Sequence, residues 1–247
     1  MNKGLNHHNL QQFYKDLFEF NITLSDAQME QFITYYEMLI EKNQVINLTS
    51  ITDFDEVVKK HFVDSLSLVK VFDPSSVKTE VSLIDIGTGA GFPGLPLKIA
   101  FPKLKVTLID SLNKRVDFLN EVITALKLDG IDAIHGRAED YAKPNKLREK
   151  YDLCVSRAVA NLSILSEYCL PYVKVGGKFI SYKSEKVVEE LEKAVFAIDI
   201  LGGEIEEKIN FTLPNSDIYR NLVVIKKISE TAQKYPRKAG MANKKPL

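Results

Sequence analysis

The sequence predicts an α/β fold built on a mostly parallel sheet. Strand-like and helix-like segments alternate from residue 81 to about residue 200, which is typical of parallel strands joined by right-handed helical crossovers. The first strand runs without a gap into a glycine-rich loop, in the stretch VSLIDIGTGAGFPG at 81–94. Two further strand-like segments, 204–213 and 221–227, follow each other without a helix, which predicts an antiparallel hairpin at the sheet edge.

Composition limits the class of protein. The chain has 247 residues, 45% of them hydrophobic and 27% charged, which suits one large domain with an appendage. The 33 basic residues balance the 33 acidic ones, so the net charge gives no sign of a polyanionic partner. No segment is apolar over the ~18 residues of a membrane span, and the polar start lacks the core of a signal peptide. We therefore expect a cytoplasmic protein, and by default a monomer.

The cysteines and histidines indicate neither disulfides nor a metal site. Cys154 falls in a strand-like stretch and Cys169 in a helix-like one, which suits a reducing compartment. The four histidines have no metal-ligand spacing; they are His7, His8, His61 and His135.

The first part of the chain, residues 5–72, is predicted to form helices that cap the main domain. Apolar residues recur at helical spacing over 10–18 and 29–39. Ser25 begins a capping-box pattern, and Asp53 is a plausible N-cap for a third helix. On this third helix three basic residues lie together, and composition alone favours a solvated helix face for them; they are Lys59, Lys60 and His61.

The turn-rich stretch DPSSVKTE at 73–80 predicts a domain boundary. It separates an N-terminal helical cap or substrate-binding extension, 1–76, from a main domain at 77–228. A basic C-terminal tail occupies 229–247.

Within the main domain the alternating segments give the predicted elements. Strands are predicted at 81–86, 105–110, 131–136, 152–158 and 178–183, and helices at 95–101, 114–126, 138–149 and 185–200. A further helix through Leu162 is expected to end before Pro171, and Gly176-Gly177 is expected to turn into the fifth strand. With the final hairpin the sheet has seven strands, the last of them antiparallel. That ending distinguishes the Rossmann-like class I fold of S-adenosylmethionine (SAM)-dependent methyltransferases from an ordinary dinucleotide-binding fold.

Two interpretations of the glycine loop compete. Gly89, Gly91 and Gly94 satisfy G-x-G-x-x-G, and Asp110 follows Gly91 by 19 residues, as a ribose-binding acid in a dinucleotide site would. As a pattern match this is weak.

Proline favours the SAM interpretation. A dinucleotide site directs helix N-terminal amides at a pyrophosphate, yet Pro93 and Pro96 each lack that donor. SAM has no phosphate, and a glycine loop lets the backbone approach it closely. The predicted cofactor contacts are then Gly87, Gly89 and Gly91 on the loop, with Asp110 and its neighbour Ser111 at the end of the second strand.

The ends of the third and fourth strands face the same crevice. After the third strand the backbone of Ala138 and Glu139 is placed to hold adenine, although Glu139 fits a helix-start acid equally well. The methyl acceptor is expected beside Ser156-Arg157-Ala158, after the fourth strand. Neither the signature of adenine-N6 enzymes nor an activated cysteine is present there, and Cys154 is expected to be a core residue.

An acceptor that needs neither deprotonation nor covalent activation suits this site, and guanine N7 is such an atom. Arg157 is a candidate for holding O6 or a phosphate, and so is Lys183, for which a solvated strand end is the more economical interpretation. The tail has five basic residues and no acidic one from residue 231 onward, namely Lys234, Arg237, Lys238, Lys244 and Lys245. Together with Lys59, Lys60, Arg157 and Arg220 it makes RNA the preferred partner.

Several motifs together resemble one bacterial family. They are INLTSI (46–51), KHFVDSL (60–66), DIGTGAGFPGLPLKI (85–99), DSLNKRVDFL (110–119), GRAE (136–139), SRAVA (156–160), RNLVVIKK (220–227), YPRKAG and KKPL. Over nearly the whole chain they resemble the RsmG family, also called glucose-inhibited division protein B. The sequence departs from this pattern at 240–243, Gly-Met-Ala-Asn, where Thr-Pro is expected before the asparagine; this affects only the tail conformation.

The resemblance implies a specific reaction, methylation of N7 of one guanine in 16S ribosomal RNA, conventionally nucleotide 527. It implies SAM contacts from Gly87, Phe92, Ala138, Glu139 and Arg157. The predicted catalytic residues are Arg157 and Lys183, and the predicted RNA contacts are Lys60, His61, Arg220, Lys234, Arg237 and Lys238. The 30S ribosomal subunit or its precursor is the implied partner.

Two other functions stay open. One is a non-catalytic RNA-binding ribosome assembly factor whose SAM pocket no longer turns over. The other is an NAD(P)-dependent oxidoreductase that uses the G-x-G-x-x-G match.

Overall fold

Strands β1 to β7 form one mixed sheet in the computed structural model, which describes residues 9–74, 79–184 and 187–247. They are β1 (Ser82–Ile86), β2 (Lys105–Asp110), β3 (Ile131–His135), β4 (Tyr151–Arg157), β5 (Val173–Lys183), β6 (Gly203–Thr212) and β7 (Tyr219–Lys227). Their order is β3-β2-β1-β4-β5-β7-β6. The first five strands are parallel, and β7 is antiparallel to both β5 and β6, which confirms the predicted fold class.

The strand order reverses between β1 and β4. In open α/β sheets the crevice beyond the carboxyl ends of the strands at such a reversal is the usual ligand site. Here the glycine loop follows β1, and Arg157 ends β4.

The helices are α1 (Gln11–Glu19), α2 (Asp26–Asn43), α3 (Phe54–Val57), α4 (Asp64–Leu66), α5 (Gly94–Ala100), α6 (Asn113–Ala125), α7 (Ala138–Tyr141), α8 (Leu162–Cys169), α9 (Val188–Ile200) and α10 (Met241–Lys244). A π-helical turn, Val58–Val63, joins α3 to α4. Both predicted caps are present: Ser25 forms a complete capping box with Gln28, and Asp53 accepts the Glu56 amide.

Two apolar cores lie on opposite faces of the sheet. On one face, side chains of α1, α2, α5 and α6 pack against residues such as Leu83 and Val155. On the other face, α8 and α9 pack against Ile84 and Cys154. Burial raises the pKa of the Cys154 thiol, and its side chain is fully buried, so Cys154 is a core residue as predicted.

The N-terminal helices share the first core with the sheet. Phe62 of the π-helical turn packs against Tyr35 of α2, and the Tyr35 hydroxyl donates to the Ala90 carbonyl of the glycine loop at 2.5 Å. The division into cap, main domain and tail remains a prediction. The predicted boundary between residues 76 and 77 lies outside the described residues. So do residues 5–8 and 185–186, which belong to two predicted helices, and with them His7 and His8.

Two predicted elements differ from the structure. The helix expected over 138–149 is limited to Ala138–Tyr141, because Pro144 disfavours a helical residue before it and Asn145 has a positive φ. Gly176 and Gly177 lie inside β5 instead of preceding it. A Cβ on Gly177 would stand 2.6 Å from the Asp152 carbonyl, so glycine permits close approach to β4 where the strand register shifts.

Candidate active site

The glycine loop is bent at positions that L side chains avoid. Gly87 and Gly91 have φ of 70° and 109°. A Cβ on Gly87 would lie 2.5 Å from Val159 Cγ2, and one on Gly91 would lie 2.8 Å from the Tyr35 hydroxyl. Glycine is required at both positions, because the loop passes close to the segment after β4 on one side and to α2 on the other.

The loop amides donate within the protein. The Gly89 amide donates to Asp110 Oδ2 at 2.9 Å, and the Gly94 amide donates to Asp85 Oδ2 at 2.8 Å. Five further loop residues donate from their backbone amides to backbone carbonyl oxygens; they are Gly87, Thr88, Gly91, Phe92 and Leu95. Because Pro93 and Pro96 have no amide proton, this turn lacks the donor set that a pyrophosphate requires.

Asp85, on β1, holds the glycine loop through hydrogen bonds. Its side chain is fully buried, and Oδ2 accepts the Thr88 hydroxyl at 2.7 Å as well as the Gly94 amide, while Oδ1 has no hydrogen-bond partner among the described residues. Burial raises the pKa of Asp85 to about 7. The acidic residue of the DIGTGAG motif is therefore a loop support that is only partly ionised at neutral pH.

A cavity of about 330 Å³ opens beside the loop at the carboxyl ends of β1, β2 and β3. We call it the glycine-loop cavity. Of the predicted cofactor residues, those that line it are Gly87, Asp110, Ser111, Ala138 and Glu139. Gly89 adjoins it through its bond to Asp110, whereas Gly91, Phe92 and Arg157 are not part of its lining.

Other residues that line this cavity were not among the predicted cofactor contacts. They include Arg115, Val159, Tyr168 and Asn243, and also Ala158, which the sequence placed beside the methyl acceptor. Ala158 has a φ of 58° although it is not glycine, and strained backbone of this kind is concentrated at functional sites. The SRAVA motif could have indicated Ala158 and Val159, but no local pattern indicates that the tail residue Asn243 returns to this site.

A second cavity, of about 570 Å³, adjoins the first. We call it the basic cavity, because its lining includes five residues that the sequence singled out, namely Lys60, His61, Arg157, Lys183 and Arg220. Ala158 and Val159 line both cavities. The two spaces are therefore separated by one short segment after β4.

Asp64 organises the charges of the basic cavity. Its Oδ2 accepts from Arg157 Nη1 at 2.8 Å, and its Oδ1 accepts from Arg220 Nε at 2.9 Å. Its side chain is 4% exposed. Two guanidinium groups thus share one carboxylate, which leaves a net positive charge at this point. Sequence reasoning missed Asp64, although it lies within the KHFVDSL motif.

His61 is a neutral member of the same cluster. Its ring stacks on Phe92 with centroids 4.5 Å apart, and Arg157 Nη2 lies 3.2 Å from Nδ1. Nδ1 also lies 3.2 Å from the Lys60 carbonyl, and Nε2 lies 2.8 Å from the Thr49 hydroxyl. Burial, and then the charge of Arg157, lower the pKa of His61 to about 4.

The two lysines of the basic cavity are paired. Lys183 Nζ lies 2.6 Å from Glu190 Oε2 and donates to the Ala160 carbonyl at 2.9 Å, so it fixes the segment after β4. Lys60 Nζ lies 2.5 Å from Glu56 Oε2. The backbone carbonyl of Lys60 accepts from Arg157 Nη1. Phe92 lies against the Arg157 guanidinium, 5.1 Å from ring centroid to Cζ, and so contributes to the basic cavity side of the site.

The tail folds back onto the protein. Arg237 donates from its guanidinium and its backbone amide to the buried carboxylate of Glu167. Lys234 and Lys238, by contrast, are exposed. The role of all three residues as RNA contacts remains a prediction, and Arg237 also serves to hold the tail.

The described part of the chain offers neither a membrane-spanning helix nor a metal centre. No described helix is long and apolar enough to cross a membrane. Within 9–74, 79–184 and 187–247 no group of three or more His, Cys, Asp or Glu side chains is placed to hold a metal ion.

Solved structures share this fold. The chain matches TYW2 from M. jannaschii in complex with AdoMet with a TM-score of 0.50 at 18% identity, covering 63% of this chain and 73% of that one. It matches geranyl diphosphate methyltransferase in complex with SAM with a TM-score of 0.51 at 12% identity, covering 68% and 85%. The sheet and its crevice are those of the class I SAM-dependent methyltransferase fold.

Sequence comparison defines the family. A family model described as rRNA small subunit methyltransferase G matches residues 28–234. The chain is 55% identical over 235 residues to Ribosomal RNA small subunit methyltransferase G of Lachnoclostridium phytofermentans, covering 95% of this chain and 96% of the relative. It is 50% identical over 240 residues to the protein of that name from Limosilactobacillus reuteri, covering 97% and 99%. The chain belongs to the ribosomal RNA small subunit methyltransferase G family.

Proposed function

We propose that this protein transfers a methyl group from SAM to N7 of one guanine in 16S ribosomal RNA. The observation that carries the proposal is the shared wall of the two cavities, Ala158–Val159. A methyl donor in the glycine-loop cavity and a base in the basic cavity would meet across this segment.

The residues of the glycine-loop cavity fit SAM. Asp110 lies at the end of β2, and a carboxylate there can accept hydrogen bonds from the ribose diol. Most loop amides donate within the protein, which disfavours a pyrophosphate but does not affect a ligand without phosphate. SAM, when bound, supplies a methyl group activated on a sulfonium ion.

The basic cavity suits a guanine. Arg157 and Arg220 are donors in a site where O6 of guanine is the acceptor to be recognised, while the lone pair of N7 stays free to react. The lone pair of N7 forms the new bond to carbon while the sulfur–carbon bond breaks, and no proton leaves N7. No general base is therefore required, which agrees with a neutral His61 held by hydrogen bonds. The residues contribute orientation and charge.

RNA binding is expected to involve residues outside the two cavities as well as residues that line them. Lys60, Lys234 and Lys238 are the exposed or half-exposed cations that we expect to contact phosphates around the target. We further propose that the protein acts in the cytoplasm as a monomer on the 30S subunit or its precursor. The names of its relatives support RNA of the small ribosomal subunit as the substrate.

The alternatives are separated by two measurements. Equilibrium dialysis with labelled SAM and with labelled NAD identifies the cofactor, and we expect binding of SAM alone; binding of NAD alone would favour the oxidoreductase. Tritium transfer from methyl-labelled SAM is then measured with 30S subunits and with naked 16S RNA. SAM binding without transfer to either RNA would favour the assembly factor.

A further inference from the structure

The tail, residues 229–247, is anchored near the point where it leaves the sheet. The Thr231 amide donates to Glu149 Oε1 at 2.8 Å, and its hydroxyl donates to the Leu201 carbonyl at 2.7 Å. Arg148 donates to the Tyr235 carbonyl at 2.8 Å. Charged and polar groups of the folded body therefore hold the first part of the tail.

Two buried carboxylates fix the next part. Glu167, 1% exposed, accepts from the Arg237 amide at 2.8 Å and from its guanidinium Nη2 at 2.5 Å. Glu139, 6% exposed, accepts from the Gly240 amide at 2.9 Å. Ala242 is buried beyond this point. A buried carboxylate without its partner is costly, so these contacts define one path for the tail.

This path brings Asn243 to the glycine-loop cavity. The Asn243 side chain makes no hydrogen bond to the described residues and is exposed at the cavity. Glu139 follows β3 and lines the same cavity. Its Oε1 accepts from the Gly240 amide, so this oxygen is already engaged within the protein. The free amide of Asn243 is thus held close to the region where the adenine was expected.

We propose that the tail forms a wall of the cofactor site and that the side-chain amide of Asn243 binds the adenine of SAM. An amide offers a donor and an acceptor together, the pair that matches an adenine amino group and its neighbouring ring nitrogen. The proposal rests on the proposed function, because it takes SAM as the ligand. It assigns the end of the tail to cofactor binding instead of RNA binding.

The test measures binding of S-adenosylhomocysteine, the product that cannot react, to the full chain by calorimetry. Asn243→Ala should weaken binding about 3- to 10-fold, the effect of one lost hydrogen bond. Lys245→Ala is the matched control, since it removes an exposed tail side chain that does not line the cavity, and it should bind like the wild type. Thermal unfolding of each variant verifies the fold.

A second ligand tests the contact itself. The purine analogue of S-adenosylhomocysteine has a hydrogen in place of the adenine amino group and therefore lacks one of the two proposed partners, so the penalty of Asn243→Ala should shrink with this ligand. Equal affinities of the wild type and Asn243→Ala for S-adenosylhomocysteine would overturn the inference and leave the proposed function intact. Weaker RNA binding with unchanged ligand binding would also overturn it, in favour of an RNA contact. If the wild type binds neither SAM nor its product, the proposed function itself fails, and the inference with it.

Discussion

Protonation of His61 is expected to destabilise the protein in acid. The neutral ring lies close to Arg157 and the Lys60 carbonyl through Nδ1, lies near Thr49 through Nε2 and stacks on Phe92. Adding a proton places a positive charge on a ring whose Nδ1 lies 3.2 Å from a guanidinium nitrogen. The folded protein therefore resists protonation more strongly than the unfolded chain does.

The pKa values give the direction and the size of the effect. The pKa of His61 is lowered from 6.5 to about 4, chiefly by burial. At about 1.4 kcal/mol for each pH unit, this interval corresponds to about 3 kcal/mol. A group whose pKa is depressed by folding contributes its stability above the unfolded value, so the contribution is complete above pH 6.5. It is lost as the pH falls from 6.5 toward 4.

Asp85 has the opposite effect over the same range. Its pKa is raised from 3.8 to about 7 by burial, so its stabilising contribution is complete below pH 3.8 and is lost as the pH rises through 7. The stability of the wild type alone therefore does not isolate His61. The useful quantity is the difference in unfolding free energy between the wild type and His61→Gln, in which Asp85 and all other groups cancel.

The assay is urea unfolding followed by circular dichroism, from pH 4 to 7.5 at constant ionic strength. The difference between wild type and His61→Gln should be largest above pH 6.5 and should fall by about 3 kcal/mol toward pH 4. Asp85→Asn, analysed in the same way, should give a difference with the opposite slope. A difference for His61→Gln that does not change with pH would refute the reasoning.

Three further predictions concern the site and the tail. Arg157→Ala should lower the rate of methyl transfer at least about 100-fold without unfolding the protein, because it removes a donor at the shared edge of the cavities. Gly87→Ala should lower the unfolding free energy by about 1–3 kcal/mol more than Gly89→Ala, since only at Gly87 would the added Cβ meet a neighbour. Arg237→Ala should destabilise the fold by about 3 kcal/mol in urea, whereas Lys238→Ala should leave stability unchanged and weaken RNA binding mainly at low salt.

Each of these has a contrary outcome. Full activity of Arg157→Ala in a single-turnover assay would remove this arginine from the reaction. Equal stabilities of the two glycine variants would mean that the segment after β4 yields without cost. A loss of RNA binding by Lys238→Ala that is independent of salt would contradict a phosphate contact.

The fold was predictable because its signals are local. The apolar strand before Gly87, the capping box at Ser25 and the two final strands without an intervening helix each depend on residues close in sequence. The helix over 138–149 was overestimated, because charged residues there continue a helical composition while Pro144 interrupts the backbone.

The site was predictable in part, for the same reason. Glycines and Asp110 follow strands and so identify the crevice, whereas Asp64 and Asn243 reach it through tertiary packing that no spacing in the sequence reveals. The basic residues Lys60 and Arg220 lie far apart in the chain and join one cavity only in the folded protein. Which of these residues contact SAM or RNA remains a prediction.

The charge of the tail does not show how the tail is held. Arg237 is paired with the buried Glu167, and the chain beyond it folds against α8. Composition does not reveal this, because the two acceptors, Glu139 and Glu167, lie about 70 to 100 residues earlier in the chain.

We propose methyl transfer to guanine N7 across the shared wall of the two cavities, and the product of this reaction is a 7-methylguanine in 16S RNA. The most direct measurement incubates the protein and SAM with 30S subunits that lack the modification, then treats the extracted RNA with borohydride and aniline, which cleave the chain at 7-methylguanine. We predict one new cut in 16S RNA that depends on both the protein and SAM and disappears with Arg157→Ala. Methyl incorporation without a cut would contradict N7 as the acceptor, and neither incorporation nor a cut in 30S subunits or naked RNA would contradict the enzymatic function.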